Sequence, residues 1–306
     1  MERPVSAATA VVLREERAPP GPAFAHPAAP PPAPLRRGEG RAAIARCDGA
    51  SAVVACASTS PLRLLVPRAR GDLAWLVAAN HGGGLVAGDA IAIGLDVGAG
   101  ATALLSTQAS TKVYRSPGPH GPTASQRIDA RVAAGGVLAI LPHPVSPFEG
   151  ARYAQSARLE LAPGASVAWL DAVTAGRVAR AERWAARAFR SRTEVTVGGR
   201  VVATDALRLA PGDGAPVAER LAGFELVATA IVLGPAFAHG ARALVAALGA
   251  TPAARGERLL AAASPLADGL VLRVASADVE AGLLFLRDRL RFVTGLIGAD
   301  PFARSP

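Results

Sequence analysis

The amino-acid sequence predicts a mainly β fold in which strands stack in layers, in a β-helical-like arrangement, with a few helices, two of them in the C-terminal quarter. In residues 90–97, AIAIGLDV, apolar side chains alternate with small or polar ones, which is typical of a strand with one buried face. Similar short runs, punctuated by Gly and Pro, continue to about residue 233. The 306 residues are 51% hydrophobic and 4% aromatic, so we expect a large aliphatic core.

Three segments resemble one another, and their alignment predicts how the strands stack. They are VGAGATALLS (97–106), VAAGGVLAIL (132–141) and LAPGASVAWL (161–170), aligned on Gly100, Gly135 and Gly164. The intervals of 35 and 29 residues are too unequal for a regular solenoid, but they suit stacked strand-turn-strand units. The loops that follow, TQASTKVYRS, PHPVSPFEG and DAVTAGR, should emerge at equivalent places and could converge on one rim.

Helices are predicted late in the chain, at about residues 236–248 and 278–297. The first ends before Gly249, which stands where a C-terminal cap belongs. In the second, apolar residues recur every three or four positions. Residues 18–34 are dense in proline, so the predicted domains are a disordered leader over residues 1–40 and a single β-rich domain over residues 41–300.

The two cysteines flank a predicted hairpin that turns at Asp48-Gly49. In its register Cys56 faces Arg41, which separates it from Cys47 by roughly 20 Å, too far for a disulfide or a shared metal. Isolated thiols fit a reducing cytoplasm. The sequence shows no secretory signal pattern and no apolar stretch of membrane-spanning length, so we predict a cytoplasmic protein that makes no membrane contact.

The net charge is +9, and Lys112 is the one lysine among 33 basic residues. This excess suggests an anionic partner. The arginines are spread along the chain and aromatic residues are few, which argues against nucleic acid. Residues 177–192 hold six arginines and are a plausible docking surface for acidic partner residues.

Short motifs were compared with those of hydrolase sites and of metal sites, and the sequence matches neither in full. His81-Gly82-Gly83-Gly84 looks like the oxyanion-hole element of some α/β-hydrolases, but no serine has glycine at both the second position before and the second after it. The five histidines and two cysteines show no metal-binding spacing, so no tight metal site and no catalytic residue are predicted. The hydrolase remains an alternative interpretation.

A longer pattern resembles a known family. Residues 81–116, HGGGLVAGDAIAIGLDVGAGATALLSTQASTKVYRS, are similar to the signature of the urease accessory protein UreD family, also called UreH. LPHPVSPFEGARY (141–153) and DAVTAGRVARAERW (171–184) agree with it in the same order, except that Ala181 stands where the family commonly has glycine. The resemblance covers roughly residues 42–297.

The resemblance implies a mainly β scaffold chaperone that is not an enzyme. Members of the family bind apo-urease and UreF, which recruits the GTPase UreG, so that nickel reaches the urease active site; a dimer within that complex is possible. The family is thought to offer nickel a route through its interior, so nickel is expected in transit and no tightly bound cofactor is expected. The other alternative is a β-rich interaction scaffold without a nickel role.

The resemblance also implies candidate functional residues. Gly82, Gly83, Gly84 and Gly88 would form a structural turn between two strands, with Asp89 at its end. Carboxylates and hydroxyls that exchange weakly with Ni²⁺ suit transit. The polar members of the matching motifs are therefore expected to line the passage or its mouth: Asp89, Thr107, Lys112, Tyr114, Asp171, Arg177 and Glu182.

Overall fold

Strands dominate the fold, and most of the helical residues lie near the C-terminus. The computed structural model describes residues 34–68, 71–118, 120–212, 214–251, 253–254 and 256–303. The strands are β1 (Glu39–Cys47), β2 (Ala50–Ser58), β3 (Leu62–Leu65), β4 (Ala74–Asn80), β5 (Ala90–Val97), β6 (Thr102–Thr107), β7 (Thr111–Val113), β8 (Ala124–Val132), β9 (Val137–Ile140), β10 (Val145–Pro147), β11 (Arg152–Leu161), β12 (Ser166–Thr174), β13 (Ala188–Val197), β14 (Arg200–Leu209), β15 (Leu226–Leu233), β16 (Leu259–Leu266) and β17 (Gly269–Ser276). The helices are α1 (Val217–Arg220), α2 (Ala238–Gly249), α3 (Val279–Arg289) and α4 (Arg291–Ile297), with a 3₁₀ turn at Val178–Arg180.

The strands form two layered sheets. Sheet I has the order β14-β13-β11-β8-β5-β1-β2, and sheet II has the order β16-β17-β15-β12-β9-β6-β4-β3. Strands β5, β8 and β11 of sheet I are parallel, as are β6, β9 and β12 of sheet II. The chain therefore passes from sheet I to sheet II three times in succession, which confirms the predicted stacking of strand-turn-strand units.

Residues that are aligned in the three similar segments are also paired with one another in the sheets. Val97 pairs with Val132 in sheet I, and Val132 with Leu161, each lying three residues before its aligned glycine. The residues two positions after the glycines pair in the same way in sheet II. The aligned glycines have φ between 64° and 79°, a left-handed conformation that glycine adopts without steric cost.

Each sheet has a burial pattern that matches its surroundings. One core lies between the sheets, and a second lies between sheet II and helices α2 to α4. The middle strands of sheet II are therefore buried on both faces, and all four residues of β9 are buried. In sheet I, Ile91, Ile93 and Leu95 of β5 point into the core and alternate with more exposed residues, as the sequence predicts.

The C-terminal helices differ in detail from the prediction. The first includes Gly249 as its last residue instead of ending before it. The predicted second helix is two helices, α3 and α4, separated at Leu290, whose φ of −92° and ψ of 9° interrupt the helix. The change of direction lets Leu286 of α3 and both Val293 and Ile297 of α4 enter the same core, which explains why the apolar repeat continues across the break.

The predicted hairpin forms, with one correction to its register. Asp48 and Gly49 have φ values of 47° and 84°, as a two-residue type I′ turn requires. A bulge between Ala43 and Ile44 shifts the pairing, so Cys56 faces Ala42 and the prediction that it faces Arg41 is wrong. Both cysteines are free thiols.

The predicted boundary between the leader and the β-rich domain lies close to the start of the first strand. Residues 1–33 of the predicted leader lie outside the described residues, and β1 begins at Glu39. None of the helices in the described ranges is both long enough and apolar enough to span a membrane.

Candidate functional site

The glycine-rich loop joins β4 directly to β5, without the helix between strands that the hydrolase interpretation requires. Gly82, Gly83 and Gly88 have φ between 71° and 87°. Gly84 has a different role, because a Cβ atom there would lie 2.6 Å from the carbonyl oxygen of Lys112 and 2.8 Å from the Tyr114 ring. The loop can therefore pack against β7 only with hydrogen at this position.

Asp89 closes the same loop. Its carboxylate accepts a hydrogen bond from the Val86 backbone N–H at 2.9 Å, and its own N–H donates to the Val86 carbonyl at 3.0 Å. Asp89 therefore holds the turn, and a role in a passage stays a prediction for this residue.

The segments that follow the three stacked strands meet on one side, as their alignment predicts, but the third of them, DAVTAGR, is not all loop because its first four residues belong to β12. Strand β7 pairs with β10 in parallel, β10 pairs with β12 through Val145 and Val173, and Leu85 of the glycine-rich loop forms a bridge with Val113. We call this side, formed by Leu85, residues 107–116, 142–150 and 174–182, the rim. It contains the predicted residues Thr107, Lys112, Tyr114, Arg177 and Glu182.

An ion pair ties the rim loops together. Arg177 Nε donates to Glu182 Oε2 at 2.9 Å, and a second, shorter hydrogen bond joins its Nη2 to Glu182 Oε1. The guanidinium lies 4.3 Å above the centre of the Phe148 ring, which Tyr114 contacts edge-on at 5.5 Å between centroids. The Glu149 backbone N–H also donates to Glu182 Oε2, at 3.1 Å.

The charge of Glu182 organises this cluster. The hydrogen bond from Arg177, followed by that from the Glu149 N–H, holds the pKa of Glu182 below its ordinary value. Nearby, Ala181 has φ of 60°, a left-handed conformation, which explains why glycine suits this position of the motif.

Replacing Glu182 with glutamine should loosen the rim without unfolding the protein. The amide keeps a similar shape but loses the charge that holds Arg177, so we expect hydrogen exchange of the Glu149 amide to accelerate severalfold. Because the pKa of Glu182 is lowered, the wild-type amide should stay protected at pH 5. Hydrogen exchange measured residue by residue checks this, with exposed Glu160→Gln on β11, away from the rim, as control. Equal protection in wild type and Glu182→Gln would contradict the prediction.

Thr107 and Lys112 occupy different environments on the rim. Thr107 Oγ1 accepts from the His143 backbone N–H at 2.9 Å, and the His143 ring contacts the Thr107 carbonyl oxygen through Nδ1 at 3.0 Å. Thr107 therefore positions the next rim loop. Lys112 is exposed, pairs through its backbone with Ser146 and has no ion-pair partner among the described residues.

Asp171 lies away from the rim loops, between the two sheets. Gln155 Nε2 donates to its Oδ1 at 2.6 Å, and Ser191 Oγ makes a short hydrogen bond to its Oδ2. Tyr153 donates to Gln155 Oε1 at 3.2 Å. Burial raises the pKa of Asp171 to about 6; the Ser191 and Gln155 hydrogen bonds oppose this, and the charge of Asp205 adds to it.

Polar side chains continue from Asp171 towards an open side of the sandwich. In sheet II, Asp171 pairs with Thr229, and Thr229 pairs with Arg273. Arg273 Nη2 reaches across to Asp205 Oδ1 of sheet I at 2.7 Å. A hollow of about 410 Å³ lies here, lined by Asp205, Thr229 and Arg273 together with aliphatic residues. We call Asp171, Ser191, Thr229, Asp205 and Arg273 the polar row.

Sequence reasoning identified only Asp171 of the polar row. Its other members, Ser191, Thr229, Asp205 and Arg273, belong to four other strands, and no local motif connects them. Strand alternation was the available signal, because Ser191, Thr193 and Val195 are buried on one face of β13. Within the described ranges, no group of three or more His, Cys, Asp or Glu side chains could hold a metal ion.

The predicted arginine docking surface is largely engaged within the chain. Four of the six arginines in residues 177–192 have partners: Arg177 with Glu182, Arg183 with Glu225, Arg187 with the Gly118 carbonyl and Arg192 with Glu194. A docking role for the stretch stays a prediction.

Comparison with known proteins identifies the family. The profile described as UreD urease accessory protein matches residues 36–304. A urease accessory protein UreD from Anaeromyxobacter sp. (strain Fw109-5) is 61% identical over 272 residues, 89% of this chain and 91% of the relative. A urease accessory protein UreD from Sorangium cellulosum (strain So ce56) is 46% identical, over 88% of this chain and 84% of the relative. Urease accessory protein D of Oryza sativa subsp. indica is 29% identical, over 87% of this chain and 95% of the relative. The chain, with its stacked sheets and its glycine-rich loop, therefore belongs to the UreD urease accessory protein family.

Proposed function

We propose that this chain is a non-enzymatic scaffold chaperone of urease maturation in the cytoplasm. It binds apo-urease and UreF, and through UreF the GTPase UreG, and it conducts nickel through its interior towards the urease active site. The relatives' names support the urease role. The observation that carries the nickel role is the polar row, which places a carboxylate between two apolar sheets and continues to an open side.

The chemistry of the polar row suits an ion in transit. The oxygens of Asp171, Ser191, Thr229 and Asp205 are donors that a divalent ion accepts without the tight binding of a Cys or His cluster. Asp171, with a pKa of about 6, is ionised at neutral pH and can exchange a proton for a cation. Hydrogen bonds from Gln155 and Ser191 hold its carboxylate in place.

A β-rich scaffold without a nickel role is the competing function. In that function the half-buried Asp171 would be a structural residue, held between the sheets by its hydrogen bonds with Gln155 and Ser191. The two functions differ in what happens to nickel when the protein is removed.

Deleting the gene in cells that carry the urease operon should leave abundant urease that is poor in nickel and inactive. Wild-type complementation should restore both nickel and activity, because the chain acts in maturation rather than in urease synthesis. The measurements are urease activity, nickel per urease by elemental analysis and urease abundance by immunoblot. Fully metallated, active urease in the deletion strain would contradict the proposed function.

A further inference from the structure

The amide nitrogen of Gln155 lies where two oxygen acceptors converge. Gln155 and Ser191 are directly opposite each other on β11 and β13, and both contact Asp171 of β12 across the space between the sheets. Gln155 Nε2 donates to Asp171 Oδ1 at 2.6 Å and to Ser191 Oγ at 3.1 Å. Lone pairs of both oxygens therefore point at the same place, as lone pairs do around a bound cation.

Tyr153 fixes the orientation of this amide. Its hydroxyl donates to Gln155 Oε1 at 3.2 Å, because Tyr153 and Gln155 are alternate residues on one face of β11. The Tyr153 side chain is 1% exposed and its ring packs on Phe189 at 5.9 Å between ring centres, so the hydroxyl is held in place. A phenol hydroxyl can donate or accept, so it can serve the amide in either orientation.

We propose that Gln155, Ser191 and Asp171 bind a divalent cation through three oxygens when the Gln155 amide reverses. Reversal brings Oε1 to the place of Nε2 and requires only rotation about χ3, a torsion with a broad, roughly two-fold profile. The Tyr153 hydroxyl then accepts from Nε2 instead of donating to Oε1. The choice of nickel as the cation rests on the proposed function.

The distances and the charge of this site suit a small ion that is bound weakly. An octahedral ion with bonds of about 2.1 Å holds neighbouring oxygens about 3.0 Å apart, close to the 2.6 and 3.1 Å between Gln155 Nε2 and its two acceptors. Asp171 supplies one carboxylate, and the other two ligands are neutral. Because affinity depends on the number of charged ligands, a single carboxylate favours release of the ion.

Nickel binding to the purified full chain, measured by equilibrium dialysis, tests the ligand set. Gln155→Leu keeps a similar volume but removes the amide oxygen, so nickel should bind about tenfold more weakly, the scale on which loss of a group at a metal site acts. Tyr153→Phe removes only the hydroxyl that accepts from the reversed amide, so it should weaken binding severalfold. The control is Gln126→Leu on the inner face of the neighbouring strand β8, which should stay within about twofold of wild type.

Paramagnetic broadening by nickel shows where the ion binds. The chain has three glutamines, Gln108, Gln126 and Gln155, so the side-chain amide signals of protein labelled with nitrogen-15 glutamine can be assigned by substitution. Nickel should broaden the Gln155 signals at concentrations that leave those of exposed Gln108 sharp. Asp171→Asn should abolish this broadening, because it removes the charged ligand.

The outcomes separate this site from the proposed function. Unchanged nickel affinity in Gln155→Leu, an equal loss in Gln126→Leu, or sharp Gln155 signals in the presence of nickel would overturn the site and leave the proposed function standing. A loss in Gln155→Leu without one in Tyr153→Phe would overturn the reversal that Tyr153 supports. Metallated, active urease in the deletion strain would overturn the proposed function and leave cation binding at Gln155 standing.

Discussion

Replacing Asp171 with asparagine should make the protein more stable at pH 7 and less able to deliver nickel. Asparagine has the same shape, accepts from Gln155 through its oxygen and donates to Ser191 through its amide, so the local hydrogen bonds survive. It removes the cost of a desolvated charge, which corresponds to about 2 to 3 kcal/mol for a pKa raised from 3.8 to about 6.

The direction of the pH dependence follows from the raised pKa. The folded chain binds this proton more tightly than the unfolded chain, so the free energy of unfolding falls as pH rises from about 4 to about 6 and is level above that. Asp171→Asn should lack this component. Urea unfolding at pH 4, 5, 6 and 7 measures it, with exposed Asp96→Asn as the control.

Asp171→Asn should lower nickel delivery although it raises stability. Nickel per urease in cells that express Asp171→Asn should fall about tenfold, the scale on which loss of a partner in a metal site acts. A variant that is more stable yet fully active would show that the carboxylate plays no part in transit. A variant that is both less stable and less active would show that the charge supports the fold.

Replacing Gly84 with alanine should destabilise the rim strongly. The added Cβ would lie 2.6 Å from the Lys112 carbonyl oxygen, which is fixed by its hydrogen bond from the Leu85 N–H at 2.8 Å. The loop or β7 must shift, at a cost of about 1 to 3 kcal/mol. Thermal unfolding should show a midpoint lower by several degrees, and the Tyr114 contact with Phe148 should weaken.

Gly82→Ala is the matched control for this substitution. Gly82 has φ of 87°, but nothing lies within 4 Å of an added Cβ atom. Its cost is therefore conformational only, about 1 kcal/mol. If the two variants unfold at the same temperature, the close approach at Gly84 does not stabilise the rim.

The sequence by itself determined the stacked β-architecture. Alternation marked β5, and the alignment on Gly100, Gly135 and Gly164 gave the order and the register of neighbouring strands. This was possible because turn glycines and a period of two are local properties, and a small register error would turn core residues towards solvent. The break at Leu290 was not visible, because the apolar repeat continues through it.

Only the tertiary structure separated the candidate residues into different environments. Asp89 and Asp171 both belong to motifs that the sequence identified. Asp89 nevertheless holds a turn, whereas Asp171 lies between the sheets. The partners of Asp171 are 16 and 20 residues away along the chain, on other strands, and Arg273 approaches Asp205 from a distance of 68 residues. A local pattern fixes which face a side chain points to; burial, pKa and partners depend on the strands that pack opposite it, which only the assembled sheets decide.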